Sequence, residues 1–162
     1  MPTEISGSTG VDKIQSDAIE TGDLPTGSVL QVVQGTSTTS TSTSSTSYVD
    51  SGLSATITPS STSSKILISA TFSFDTNTNG EQPYLAFYRG TDNLNGAANS
   101  NGWGTLYSAT RVIAQISGVQ LNSPSSTSAL TYSVKFKSAA GGAIEFTSQG
   151  TVSYITLMEI AG

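Results

Sequence analysis

Hydroxyl side chains are the most abundant groups in this chain that could do chemistry. Serine and threonine make up about a third of its 162 residues, well above their usual share. A serine attacks a substrate only when a neighbouring base takes its proton, and histidine is the commonest such base. The chain contains no histidine, no cysteine and no Gly-x-Ser-x-Gly motif. We therefore expect no catalytic nucleophile and no enzymatic activity.

Carboxylates are the second group that could act on a substrate. Beyond residue 24 the acidic residues are Asp50, Asp75, Glu81, Asp92, Glu145 and Glu159. A glycosidase needs two carboxylates that flank one bond. Glu145 and Glu159 fall in two neighbouring strand candidates, and their alternation with apolar residues places them on the outer face. The sequence thus predicts surface carboxylates rather than a glycosidase site.

Residues 75–81, Asp-Thr-Asn-Thr-Asn-Gly-Glu, match the start of a calcium-binding loop. Such a loop requires glutamate at its twelfth position, where this chain has Ala86, and it requires flanking helices. The pattern favours a hairpin turn instead. We expect no bound metal and no cofactor.

One long loop, residues 91–104, is rich in asparagine and glycine and contains the single tryptophan, Trp103. Long loops of compact domains are often functional. Trp103 is either a stacking platform for a sugar ring or a protein contact, or a core anchor beneath its own loop. The candidate contact residues of this loop are Asp92, Asn95, Asn99, Asn101 and Trp103.

Composition excludes several classes of partner. The net charge is −5 and the pI is about 4.3, so no basic patch is expected to neutralise nucleic-acid phosphates. No apolar run approaches the roughly 20 residues of a membrane helix, and the first residues lack the pattern of a signal peptide. Only 10% of residues are charged, yet clusters of Val, Ile, Thr, Tyr and Phe indicate a folded β-protein.

Eight segments beyond Ser28 alternate or cluster apolar residues as strands do. Ile68, Ala70, Phe72 and Phe74 share one face of the longest segment, and a later one sets Leu130, Tyr132, Val134 and Phe136 opposite two lysines. The fold predicted for residues 25–162 is an all-β antiparallel sandwich, jelly-roll-like, of about eight strands. The Ser/Thr run at residues 36–47 is predicted as a loop. The eight candidates are residues 29–33, 53–58, 65–74, 84–89, 111–116, 130–137, 143–146 and 152–160.

Residues 1–24 differ from this body and are predicted to form an extended N-terminal arm. They contain five acidic residues and one basic residue, whereas the remainder contains six and five. Such a segment is either a frayed terminus or a segment that orders only on a partner surface. In the second case its apolar residues are the anchors, namely Ile5, Val11, Ile14, Ile19 and Leu24.

Two blocks of the chain resemble exterior virion proteins of tailed bacteriophages, especially those of cyanobacteria. They are Gly-Ser-Val-Leu-Gln-Val-Val at residues 27–33 and residues 47–68, which begin Ser-Tyr-Val-Asp-Ser-Gly-Leu-Ser-Ala-Thr-Ile-Thr-Pro-Ser. Both are similar to C-terminal domains of tail-fibre-like proteins, and residues 10–15 and 21–25 resemble the linkers that precede such domains. The resemblance implies a homotrimer on the virion exterior.

Two placements on the virion follow from the resemblance. In the first, the trimer decorates the capsid, and the arm binds the major capsid protein or another virion protein. In the second, it is a tail-fibre or receptor-binding head that contacts host surface glycans. A third interpretation, a soluble carbohydrate-binding module, gives the acidic arm no purpose.

Overall fold

The computed structural model describes residues 23–77, 80–95, 102 and 110–162. These residues contain ten β-strands, one short 3₁₀ turn at Ser148–Gly150 and no α-helix. The strands are β1 (Val29–Ser37), β2 (Thr41–Thr43), β3 (Val49–Ile57), β4 (Lys65–Thr76), β5 (Pro83–Arg89), β6 (Asp92–Asn93), β7 (Ile113–Asn122), β8 (Leu130–Ser138), β9 (Ile144–Phe146) and β10 (Ser153–Ile160).

The larger sheet has six strands and is organised around β4, its longest member. β10 pairs with the first half of β4 and the short β9 pairs with its last residues, while β7 runs along almost the whole opposite edge. β1 continues the sheet beyond β10, and β2 continues it beyond β9. Every pairing is antiparallel.

The smaller sheet has the order β3-β8-β5-β6, and its inner face packs on the six-stranded sheet to form the core. Side chains from alternate positions interdigitate between the layers, as strand geometry requires. The predicted face of β4 is buried, and so are Tyr132, Val134 and Phe136 of β8. The predicted fold class, an antiparallel β-sandwich, is confirmed.

The Ser/Thr run forms the predicted loop only in part. Residues 38–40 and 44–47 are outside any strand, but Thr36 and Ser37 end β1, and residues 41–43 are strand β2, which pairs with β9. Gly35 explains how β1 passes so close to β3, because a Cβ atom there would lie 2.0 Å from the carbonyl oxygen of Ser54. Strand is possible within the run because threonine fits a pleated surface well.

Candidate functional surfaces

The predicted anchoring residues fall mostly outside the described part of the chain. Ile5, Val11, Ile14 and Ile19 lie there, and only Leu24 can be placed. Leu24 is 38% exposed and lines a shallow pocket with Leu30, Ala161 and several serines of residues 60–64. The following residues are tied to the body, since the Gly27 amide donates to the Ala161 carbonyl at 2.8 Å.

The predicted contact loop is placed only at its start. Asp92 is exposed and pairs with Arg89, whose Nη2 lies 3.1 Å from its Oδ2. Asn95 turns back toward the sheet, where its Oδ1 accepts a hydrogen bond from the Phe87 amide at 3.1 Å. Its side chain therefore binds the edge of β5 next to the residues that pair with β6. Asn99, Asn101 and Trp103 lie outside the described residues.

Asp75 is not part of an open turn. It is fully buried near the end of β4, and both of its carboxylate oxygens accept hydrogen bonds from Arg111. The Nε–Oδ1 distance is 2.9 Å. These hydrogen bonds, together with the charge of Asp75, raise the pKa of Arg111. The carboxylate that would open a calcium loop is thus already neutralised.

We expect calcium to leave the melting temperature of the protein unchanged, because a calcium ion would have to displace the Arg111 guanidinium from Asp75. Thermal unfolding of chelator-treated protein, with and without added calcium, measures this. Magnesium serves as the control for a general ionic effect. A rise in melting temperature specific to calcium would contradict the prediction.

The prediction that Glu159 lies on the outer face is wrong. Glu159 shares its inward side with Ile155 and Leu157 and is fully buried. Its Oε1 accepts hydrogen bonds from the amide and hydroxyl of Ser60 and the hydroxyl of Ser64, each at 2.7 Å, and its Oε2 accepts one from Gln31 Nε2 at 2.6 Å. Burial raises the pKa of Glu159, but these hydrogen bonds outweigh it and hold the pKa below the ordinary glutamate value.

Glu81 is a third buried carboxylate and is held by backbone amides. Its Oε1 accepts from Ala139 at 2.8 Å and from Ala140 at 3.0 Å, and its Oε2 accepts from Gly142 at 2.6 Å. Burial raises its pKa, and the backbone hydrogen bonds lower it further than burial raises it. Glu81 therefore joins the β4–β5 connection to the β8–β9 connection.

Glu145 lies on the outer face of β9 as predicted, opposite Asp75 in the strand register. It accepts a hydrogen bond from the Ser40 hydroxyl. Glu145 and Glu159 are on different strands that pair with different parts of β4. No pair of glycosidase carboxylates results, because Glu159 is enclosed by its own hydrogen bonds.

The outer face of the four-stranded sheet carries an aromatic and cationic group, here called the tyrosine–lysine face: Tyr48, Tyr84, Tyr88, Lys135 and Lys137. The Nζ of Lys135 lies 4.5 Å from the centre of the Tyr88 ring, and that of Lys137 lies 5.0 Å from Tyr48. Tyr48 also meets Tyr88 edge to face at 5.8 Å. Burial, with smaller contributions from Tyr88 and Tyr84, raises the pKa of Tyr48 to about 12. Neither lysine forms a salt bridge within the described residues.

The outer face of the six-stranded sheet is apolar toward one end. Strand register aligns Val32, Met158, Leu67 and Leu121 in one row across β1, β10, β4 and β7. Val119 projects beside this row. Val119 is 66% exposed, Val32 57% and Leu121 52%, although single protein chains seldom expose large contiguous apolar surface. We call this surface, with its flanking rows, the apolar face.

Among the residues that the structure describes, no group of three or more His, Cys, Asp or Glu side chains could hold a metal ion. Within the same ranges, no helix is long and apolar enough to cross a membrane. The sequence matches no protein-family model and has no significant match among curated proteins.

Proposed function

We propose that this chain is a structural protein of a tailed-phage virion that decorates the capsid. Its N-terminal arm docks on the capsid surface, and its β-sandwich projects outward as a homotrimer. The resemblance of residues 27–33 and 47–68 supports a virion origin. Those blocks contain all of β3, the first residues of β1 and the first residues of β4, so the residues that carry the resemblance are residues that build the sandwich.

The observation that carries the proposal is the difference between the two outer faces. One is apolar and exposes valine and leucine, and the other is polar and holds two lysines over tyrosine rings. Exposed apolar patches of this kind mark protein contacts. A sandwich whose apolar face is covered by a protein contact, and whose tyrosine–lysine face is exposed to solvent, suits a repeated subunit on a particle surface.

Arm variants test the docking step. We expect the full chain with Val11→Asp and Ile14→Asp to bind capsids that lack the protein at least about 100-fold more weakly, since each buried apolar side chain contributes roughly 1.5 kcal/mol or more. Co-sedimentation with such capsids measures the affinity. A chain that lacks residues 1–22 should show the same loss and remain folded, because residues 23–28 keep their contacts with the body.

The matched control carries the same added charge at polar positions of the arm, Thr9→Asp and Gln15→Asp, and should bind like the unmodified protein. Equal weakening by both pairs would indicate a purely electrostatic effect. Unchanged binding after deletion of residues 1–22 would exclude the arm as the anchor.

The alternative function, a tail-fibre or receptor-binding head, is favoured by the tyrosine–lysine face. Tyrosine rings stack on sugars, and lysines that form no salt bridge within the described residues attract anionic groups. The number of copies per virion separates the two placements. A number close to that of capsid subunits supports decoration, and a number close to that of tail components supports receptor binding.

A further inference from the structure

The apolar face has no partner among the described residues, and its strand register suggests one. We propose that it is the surface through which copies of this chain assemble, so that each copy packs this face against its neighbours around a threefold axis. The inference rests on the proposed function, which takes the protein to be a trimer, and it identifies which surface makes the contact.

The centre of the face is free of charge. Next to the apolar row lies a second row, Gln34, Thr156, Ser69 and Val119, and then a third, Thr36, Tyr154, Thr71 and Ser117. Lys65 stands at one end of the face, and the Asp75–Arg111 pair stands at the other. The apolar row therefore lies next to the Lys65 end, and the uncharged polar rows extend from it toward the Asp75–Arg111 pair. Depletion of charged residues is a usual property of the core of an interface between protein subunits.

The size of the face fits a stable contact. Four strands spaced by about 4.8 Å and ten residues long cover on the order of 600 Å² as a flat surface. Side-chain relief adds to this figure, and a standard protein interface buries about 800 Å² on each partner. The face is therefore large enough for one neighbour to cover most of it or for two neighbours to share it.

A second copy fits this face better than a charged surface does. Two uncharged faces meet without opposing like charges, and their hydroxyl rows offer both donors and acceptors to each other. The tyrosine–lysine face is a poor candidate for self-contact because Lys135 and Lys137 would approach their own copies.

The test uses the full chain with Val32→Glu and Val119→Glu, two exposed positions whose change leaves the core intact. The control, Ser54→Glu and Thr62→Glu, adds the same charge at exposed positions outside the face. Sedimentation equilibrium measures the mass. We expect three times the chain mass of 16.6 kDa for the unmodified protein and the control. The apolar-face variant should sediment as a single chain, its dissociation constant raised at least about 100-fold by like-charge repulsion.

Circular dichroism confirms that each variant keeps its β-structure. A monomeric unmodified protein, or an oligomer that persists in the folded apolar-face variant, would overturn the inference. If the unmodified protein is a monomer that still binds capsids, the inference fails and the capsid-binding role stands without its trimer. If a trimer forms through this face but does not bind capsids, the proposed function fails and the inference stands.

Discussion

Replacing Phe146 by alanine lowers the free energy of unfolding by about 4 kcal/mol, the upper range for loss of a fully buried phenylalanine. Phe146 has no exposed surface. Its ring stacks on Phe72 with centroids 4.5 Å apart and lies 5.5 Å from Phe136. It therefore links both layers of the sandwich at one point.

The effect is large because β9 has only three residues and depends on this side chain. β9 connects β2 to β4, so a cavity at Phe146 also loosens the strand formed by the Ser/Thr run. Denaturant unfolding at one fixed protein concentration measures the loss, since oligomerisation makes stability depend on concentration. Phe146→Leu, which keeps most of the volume, is the control and should cost about 1.5 kcal/mol or less. Equal losses in both variants would show that volume at this site is not what stabilises β9.

Replacing Glu159 by glutamine lowers the free energy of unfolding by about 3 kcal/mol at neutral pH, because an amide cannot accept the hydrogen bonds that now reach both carboxylate oxygens. The substitution keeps the volume but replaces one acceptor oxygen by an NH2 donor, so either the Gln31 amide or the donors of Ser60 and Ser64 lose their acceptor. Asp92→Asn is the control, since Asp92 is exposed and changes in such positions usually alter stability by less than about 0.5 kcal/mol.

The loss at Glu159 should depend on pH in a defined direction. The unfolded chain titrates near 4.5, and the folded protein has a lower pKa at this carboxyl. Because the folded pKa is lowered, the ionised Glu159 carboxylate contributes its full stabilisation above pH 4.5. This contribution is lost as the pH falls through the folded pKa. The difference in unfolding free energy between Glu159→Gln and the unmodified protein should thus shrink in acid. Glu81 titrates in both proteins, so its contribution to this difference cancels. A difference that grows as the pH falls would contradict the assignment.

Alternation in the sequence is enough to predict the strands that build the core. The face of β4 with Ile68 and Phe72 and the face of β8 with Tyr132 and Phe136 are both buried as expected, because a two-residue period fixes which side chains share a face. All eight predicted strands are present. β2 and β6 were missed because segments of three and two residues have no measurable period.

The apolar face and the buried position of Glu159 could not be predicted from alternation in this way. The apolar row joins Val32, Leu67, Leu121 and Met158 from four strands, and only the register brings them together. Glu159 did carry a signal, since it has the same parity as the inward Ile155 and Leu157. That signal was outweighed by the rule that a single carboxylate is rarely buried. Its partners Ser60 and Ser64 come from a distant turn that composition does not place.

Strand β7 forms the rim of the six-stranded sheet, with β4 on one side and no strand pairing on its other side among the described residues. Natural sheets use lysine, proline and other charged residues to stop a foreign strand from adding to an exposed edge strand. The ten residues of β7 include no proline and no charged residue. The backbone N–H and C=O groups along this edge are therefore open to pairing with a strand of another molecule. We expect single chains at high concentration to be exposed to fibrous polymerisation through β7.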